Sequence, residues 1–253
     1  MPNVSAVIIT RNEERNIERC LRSLSWAGEI ILVDSHSTDN TVSIAEKFNC
    51  RIISTDWLGY AKTKQLGVDQ ANSKWIFWID ADEEVTPELQ AAIRSCNFSA
   101  DAYEIPRKTF FLGKWIKHCG WYPGYVKRLF NRETCRFGEQ VLHEDIVMPQ
   151  GSKPARINAD LLHFSYTNLR QYFAKMNDYG KDGALELHRK GRKFKHSQLV
   201  ISPFWNFIRH YFIKRGFLDG TEGFIISVGS AYSSFIKYTN FYYLSRGKEH
   251  LLR

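Results

Sequence analysis

The segment Trp75–Glu84, WIFWIDADEE, places four carboxylates within five residues directly after five apolar side chains. Carboxylates this close repel one another and cost free energy unless positive charge is held among them. Asp80 and Asp82, with only Ala81 between them, can leave a strand end in one loop and share a divalent cation. Oxygen donors suit Mg2+ or Mn2+, which keep waters and accept phosphate oxygens. The plain alternative is a solvated acidic turn that caps the following helix. The run Trp75, Ile76, Phe77, Trp78 and Ile79 weighs against it, because a deep central strand fixes the acids at the ligand edge of a sheet.

Such an edge needs neighbouring strands. Val4–Thr10, Ile30–Val33, Arg51–Ser54 and Trp75–Ile79 are short, β-rich apolar runs that read as four strands. Helical patterns lie between them. Ile17, Cys20, Leu21 and Leu24 recur at i, i+3, i+4 and i+7, and Val42, Ala45 and Phe48 share a face after Ser37-Thr38-Asp39. A third pattern covers residues 61–71. This alternation predicts an α/β fold with a mostly parallel sheet flanked by helices. Ligands of such sheets sit outside the carboxyl ends of the strands. Thr10-Arg11-Asn12, Asp34-Ser35-His36-Ser37 and Asp80-Ala81-Asp82 all fall at those ends. The chain has no G-x-x-x-x-G-K-[ST], and no G-x-G-x-x-G follows its first strand. A nucleotide here needs its pyrophosphate neutralised another way, and a cation on Asp80 and Asp82 meets that need.

Length and composition narrow the class. The 253 residues suit one large domain, or one domain with a substantial extension. A content of 43% hydrophobic and 25% charged residues argues for a globular core and against disorder. The net charge of +8 favours an anionic partner. Acids gathered at strand ends repel phosphates without a metal, so no nucleic-acid partner is expected. Cys20, Cys50, Cys96, Cys119 and Cys135 are odd in number and widely spaced, which argues against a disulfide framework or zinc site and for a reducing cytosol. The sequon Asn97-Phe98-Ser99 is then a chance match. The first apolar run follows no basic segment and is too short for a signal peptide or a span, so it reads as a strand.

Beyond Pro87 the pattern changes. Ile105–Arg132 is aromatic, basic and turn-rich, and reads as irregular strands and loops; from about Tyr166 the chain reads as helical. Ser202 and Pro203 have the types of an N-cap and a first helical residue. Asn206, Arg209, His210 and Lys214 form a polar stripe, with Phe204, Phe207, Ile208, Tyr211 and Phe212 opposite and Gly216 as the stop. The basic run Arg189–Lys195, RKGRKFK, precedes this amphipathic helix. That combination suits an anionic cytoplasmic leaflet, while packing of the apolar face on the catalytic domain is the other use open to it. Gly223–Ile236 is shorter than the roughly 20 apolar residues that span a bilayer. The expectation is a cytoplasmic protein, peripheral on the inner membrane.

The blocks VSAVIITRNEERNIERCLRSL, EIILVDSHSTDNT, AKTKQLGVDQANSKWIFWIDADE and VLHED stand in an order that resembles family-2 glycosyltransferases of GT-A fold. The later segments WYPGYVKRLFNR, LLHFSYTNLRQYFAKMNDY and FLDGTEGF look like the lipopolysaccharide-core glucosyltransferases of the WaaE/KdtX type. The resemblance implies a UDP-sugar donor, Mg2+ or Mn2+, and a lipid-linked saccharide acceptor. It places Thr10 and Arg11 against the base and Asp34 on the uracil. Ser35 and His36 stand where the family pattern has a second acid and a glycine. Lys64 and Gln65 match positions that approach ribose and phosphates, Asp80 would contact ribose or metal, and Asp82 would ligate the metal.

Inverting transfer also needs a base that deprotonates the acceptor hydroxyl while UDP leaves from the other side. The LHED block supplies Glu144, favoured for this role, with Asp145 second and His143 to orient it. His163, in LLHFSY, is a further metal or phosphate ligand or else a satisfied core histidine. Arg128 and Arg132 could meet acceptor or donor phosphates, or form a solvated basic loop. Trp115, Trp121 and Tyr122 could stack on sugar faces, or pack in a core. The expected division is a catalytic domain over residues 1–165 and a helical, membrane-associating extension over 166–253. A sugar-nucleotide nucleotidyltransferase is the competing enzyme class; it normally needs a glycine-rich first loop, and IITRNEE has no glycine.

Overall fold

The computed structural model describes residues 3–138 and 145–252. His143 and Glu144 therefore lie outside the described residues. The chain clusters into two compact units, one of Met1–Arg107 with Gly124–His163 and one of Lys108–Pro123 with Phe164–Arg253.

In chain order the first unit begins β1 (Val4–Thr10), α1 (Ile17–Ser23), β2 (Glu29–Asp34), α2 (Thr41–Ala45), β3 (Arg51–Ser54), α3 (Tyr60–Asp69) and β4 (Trp75–Asp80). β5 (Glu83–Val85) and α4 (Pro87–Arg94) follow. Then come β6 (Ala102–Phe111), β7 (Lys114–Trp115), β8 (Gly124–Asn131), β9 (Arg136–Phe137), β10 (Ile146–Val147), β11 (Ala155–Arg156) and β12 (Leu161–Tyr166). The main sheet has the order β3-β2-β1-β4-β8-β6-β12-β5. β3, β2, β1 and β4 are parallel, and their register sets Thr10 beside Asp34 and Ile9 beside Asp80. The expected parallel sheet holds for this half only. β8 is antiparallel to β4, β6 to β8, and β5 to β12, so the sheet is mixed. The reason lies in the connections: β6 returns to β8 without a crossover helix, and neighbours joined this way run antiparallel. Within Ile105–Arg132, expected as irregular strands and loops, residues 105–111, 114–115 and 124–131 are regular strands of the sheet, and residues 116–123 form no strand. Pro106 and the aromatic residues of this segment hid a ladder in which Ile105 pairs Val126 and Pro106 pairs Tyr125.

The second unit continues with α5 (Leu169–Arg189), α6 (Gln198–Ile208), a π-helical turn over Arg209–Ile213, a 3-10 turn over Gly216–Asp219 and α7 (Gly220–Ser245). The Asn168 side chain caps α5 by accepting from the Gln171 N–H. Ser202 does not cap α6. The helix starts a turn earlier, where the Gln198 side chain accepts from the Lys195 N–H, and Pro203 lies inside it. Proline has a helical φ and forfeits one backbone bond, so an established first turn carries the helix past it. Gly216 does not stop it either. The left-handed conformation falls on Arg215, at φ 54°. Gly216 serves close approach instead, since a Cβ there would lie 2.6 Å from Cys119 Sγ. Trp115 is taken by cations, with Lys108 and Lys117 at 3.8 and 4.7 Å from its ring and Tyr122 edge-on at 5.4 Å. Trp121 packs against Phe111 and Tyr166 in this unit's core.

In the first unit, Ile17, Cys20, Leu21 and Leu24 are all buried on one side of the sheet, as their spacing requires. On the other side α3 lies on β1 and β2 through Gly67. A Cβ at that position would meet Val7 Cγ1 at 2.5 Å and Val33 Cγ2 at 3.0 Å. Both valines sit in a packed cluster with Ile31, Val68 and Ile76, so a methyl cannot enter without moving helix or strands. Gly67→Ala is expected to destabilise by about 1–3 kcal/mol through overpacking, measurable as a lowered thermal midpoint with unchanged secondary structure.

Candidate active site

The loops after β1 and β2 are tied together. The Asn12 N–H donates to Ser37 Oγ at 2.9 Å, and Asn12 Oδ1 accepts from the Thr38 N–H at 2.8 Å. The Glu13 N–H donates to Thr41 Oγ1 at 2.8 Å. Asn12 and His36 take left-handed backbone at φ 57° and 55°, a cost that the cross-loop bonds sustain. Asp34 is buried at the end of β2. Its carboxylate accepts from the Ser37 N–H at 3.0 Å and Ser37 Oγ at 2.5 Å, which fixes it facing this loop. Thr10 is buried beside it, and Arg11 is exposed at the same edge.

The positive charge that the acidic segment demands comes from the chain itself. Arg128, 1% exposed on β8, donates from Nη2 to Asp80 Oδ2 at 2.7 Å and to Glu83 Oε1 at 2.5 Å. Its guanidinium lies 3.5 Å from the centre of the Trp78 ring. Lys64, on α3, is 4.0 Å from the centre of the same indole and 3.8 Å from Asp80 Oδ1. Arg107 adds a third cation at 3.7 Å from Glu83. Burial alone would raise the Asp80 pKa; the charges of Arg128, Lys64 and His163 outweigh it and hold the carboxyl well below the usual range. The same pairing works in reverse on Arg128: burial lowers its pKa, but Glu83 and Asp80 raise it further.

Asp82 is left to a different partner. β5 pairs Glu83 with His163 of β12, and this brings His163 Nε2 to 3.2 Å from Asp82 Oδ2. Glu13 also belongs to this acidic edge. Burial raises its carboxyl, and the nearby charges of Asp82, Asp39 and Asp80 add to that, against one hydrogen bond from Asn16. Among the described residues no three His, Cys, Asp or Glu side chains form a closed metal cluster. Two donors, a carboxylate and an imidazole, are what Asp82 and His163 offer. That set suits Mn2+ or Mg2+ only where phosphate oxygens and water complete the shell.

The structure thus brings Thr10, Arg11 and Asp34 to the carboxyl ends of β1 and β2, and Lys64, Asp80, Asp82 and His163 together at the end of β4. Gln65 is engaged within the fold, donating to Asp69 and accepting from the Phe137 N–H. Asp145 is exposed and pairs with Lys127 at 2.7 Å. Arg128 is neither a basic loop nor a surface phosphate site. Arg132 is placed away from the acidic edge: it donates to the Ala71 carbonyl near the start of β4, whereas Asp80 ends that strand. Glu83, Glu13 and Arg107 were not singled out by sequence. Glu83 had a signal, since an acid adjoining Asp82 in a segment leaving a buried strand needs a counter-charge.

Removing Arg128 should expose how much rests on it. Arg128→Met leaves two carboxylates without their main partner and is expected to cost about 3–5 kcal/mol; Glu83→Gln in the same chain should restore part of the loss in chemical denaturation. Asp80 sets a pH signature. Its native pKa is depressed, so its stabilisation is complete above the unfolded value of about 3.9 and is lost as pH falls toward the native value. The stability gap between wild type and Asp80→Asn should stay constant from neutral pH to about 4 and close below it.

Comparison with known proteins follows the same outline. The family model "Glycosyl transferase family 2" matches residues 5–117. An uncharacterised glycosyltransferase of Rickettsia felis is 32% identical over 268 residues, covering 100% of this chain and 92% of the relative. The lipopolysaccharide core biosynthesis glycosyltransferase LpsC of Rhizobium meliloti is 29% identical over 253 residues, covering 94% and 92%. The mannosyltransferase PcManGT of Pyrobaculum calidifontis, solved with GDP-Man and Mn2+, superposes with a TM-score of 0.54 at 14% identity, covering 100% and 81%. That likeness is one of fold. The family match, together with 32% identity along 92% of the Rickettsia felis relative, makes the chain a member of glycosyltransferase family 2.

Proposed function

We propose that the protein is an inverting, metal-dependent hexosyltransferase that moves glucose from UDP-glucose to a heptose of a lipopolysaccharide inner-core acceptor. The acceptor is lipid-linked, and the enzyme works at the cytoplasmic face of the inner membrane, with residues 1–165 catalytic and 166–253 as its membrane-associating extension. The observation that carries this reading is the carboxyl edge of the parallel strands, where Asp34, the Arg128-compensated Asp80 and the Asp82–His163 pair stand together. The acceptor class is supported by the name of the Rhizobium meliloti relative, and the WaaE/KdtX-type assignment by the later sequence blocks. Family membership decides against the nucleotidyltransferase.

Each residue then has a task. Asp34, beside Thr10 and Arg11, accepts from the uracil. Lys64 offers its ammonium to ribose or diphosphate oxygens, and Arg128 holds Asp80 in place for the ribose. Asp82 and His163 would hold Mg2+ or Mn2+; when bound, the cation offsets the charge that develops on the leaving diphosphate. Glu144 takes the proton of the acceptor hydroxyl. Asp145, exposed and already paired with Lys127, is the weaker candidate for that step.

Three variants test the reading. Asp34→Ala should weaken UDP binding in calorimetry even without metal, and unchanged affinity would reject the base contact. Asp82→Asn should remove the Mn2+-dependent part of UDP binding and abolish turnover in a folded protein. Glu144→Gln should lower kcat about 10²-fold or more and spare UDP-sugar binding, with Asp145→Asn much milder; the opposite order would exchange the two roles.

A further inference from the structure

α6 is inside out for a helix in water. It is strongly apolar, yet none of its residues is buried. Val200, Ile201, Phe204 and Trp205 are 72, 63, 66 and 55% exposed. At 3.6 residues per turn these four share one face, and Phe212 and Ile213 extend it through the π-helical turn at 53 and 59%. Of the polar stripe of the same segment, Asn206, His210 and Lys214 turn inward, while Arg209 is exposed. Asn206 lines a cavity among α5, α6 and α7, and His210 Nδ1 lies 2.9 Å from the Cys119 carbonyl oxygen. The Lys214 side chain lies over Gly120. Burial pushes the pKa values of both His210 and Lys214 down. The periodicity expected from sequence is present, and of the two uses open to the apolar face it is the outward one that holds.

The apolar surface continues beyond the helix. Phe217 and Leu218 of the 3-10 turn are exposed, as are Phe224, Val228 and Phe235 of α7. Tyr211 joins these elements, with ring centres 6.2 Å from Phe217 and 5.7 Å from Phe224. A surface this large and apolar has an occupant. Charge selects it. Residues 187–218 contain eight Lys or Arg and no Asp or Glu. A second copy of the chain would meet the patch with the same patch and set these cations against each other. An anionic lipid surface sets them against phosphates. α6, with 11 residues, is about 16 Å long against a hydrocarbon core of about 30 Å. No helix among the described residues is long and apolar enough to cross a membrane.

We propose that this face of the second unit inserts into the interfacial layer of an anionic bilayer, with α6 in the membrane plane. Val200, Ile201, Phe204, Trp205, Phe212 and Ile213 enter the acyl region, and the lysines and arginines of residues 189–195, with Arg209 and Arg215, meet the headgroups. This deepens the membrane reading under Proposed function: apolar insertion holds the protein, and charge only adds to it.

The test is flotation of the full chain with phosphatidylethanolamine–phosphatidylglycerol vesicles. Wild type should float at low salt and stay bound at about 1 M salt, where exposed charge attraction is screened. Ile201→Ser/Phe204→Ser/Phe212→Ser, which removes exposed groups only, should lower the vesicle partition coefficient at least ~10-fold with an unchanged circular dichroism spectrum. Neutralising the five Lys/Arg of residues 189–195 should weaken binding at low salt and leave the high-salt fraction. Brominated acyl chains should quench tryptophan emission, and Trp205→Phe should abolish most of that quenching. No flotation of wild type, or full release at high salt, overturns the proposal. So does a wild-type dimer in light scattering that the triple variant converts to monomer, which would make a second copy the occupant. UDP calorimetry on the same preparations separates the two readings: UDP binding without flotation rejects insertion alone, and flotation without UDP binding rejects the donor assignment alone.

Discussion

The guanidinium of Arg128, buried against Trp78 and shared by Asp80 and Glu83, is the interaction on which the acidic edge depends. Four carboxylates in five residues cannot leave a buried strand together unless some are neutralised within the fold. Arg128 can do this because β8 runs antiparallel beside β4, so an arginine near the middle of β8 faces the end of its neighbour. The mixed character of the sheet is therefore more than a variation on a parallel plan. It delivers a cation from the opposite chain direction to the carboxyl end of β4.

That cation divides the acids into two kinds. Asp80 and Glu83 are compensated from inside, by Arg128, Lys64 and Arg107. Asp82 is turned to His163. A planar guanidinium suits the first task better than an ammonium, since it can stack on an indole while one terminal nitrogen serves two carboxylates. The strand β5 completes the division. By pairing with β12 it holds Glu83 inward and sets the imidazole of His163 beside Asp82.

The parallel half of the sheet was legible because its strands are apolar runs of ordinary length and its helices keep a 3.6-residue period; the residues at its carboxyl ends followed from topology alone. The antiparallel half was not legible. Its strands carry proline, lysine and arginine, and hydrophobic runs do not register strands whose partners are supplied by a neighbouring hairpin. In β8 there was no alternation to read, since Arg128, Leu129, Phe130 and Asn131 are buried one after another, and basic residues in a turn-rich segment resemble a solvated loop. α6 was legible in part. The stripe of Asn206, Arg209, His210 and Lys214 opposite an apolar face has the right period, but a period says only that two faces differ, and not which of them is turned outward.

A site with two protein donors has a thermodynamic consequence that a closed cluster lacks. If Asp82 and His163 hold a cation whose remaining ligands are diphosphate oxygens, cation and nucleotide each raise the other's affinity by one and the same factor, because both act on a single coupling free energy. Asp80 does not spoil this coupling, since its charge is already balanced by Arg128 and Lys64 and adds little attraction for a lone cation. The same balance keeps the edge from repelling an incoming diphosphate as strongly as four open carboxylates would. Internal compensation of Asp80 and Glu83 thus makes the proposed metal site selective for the cation–nucleotide pair over either partner alone.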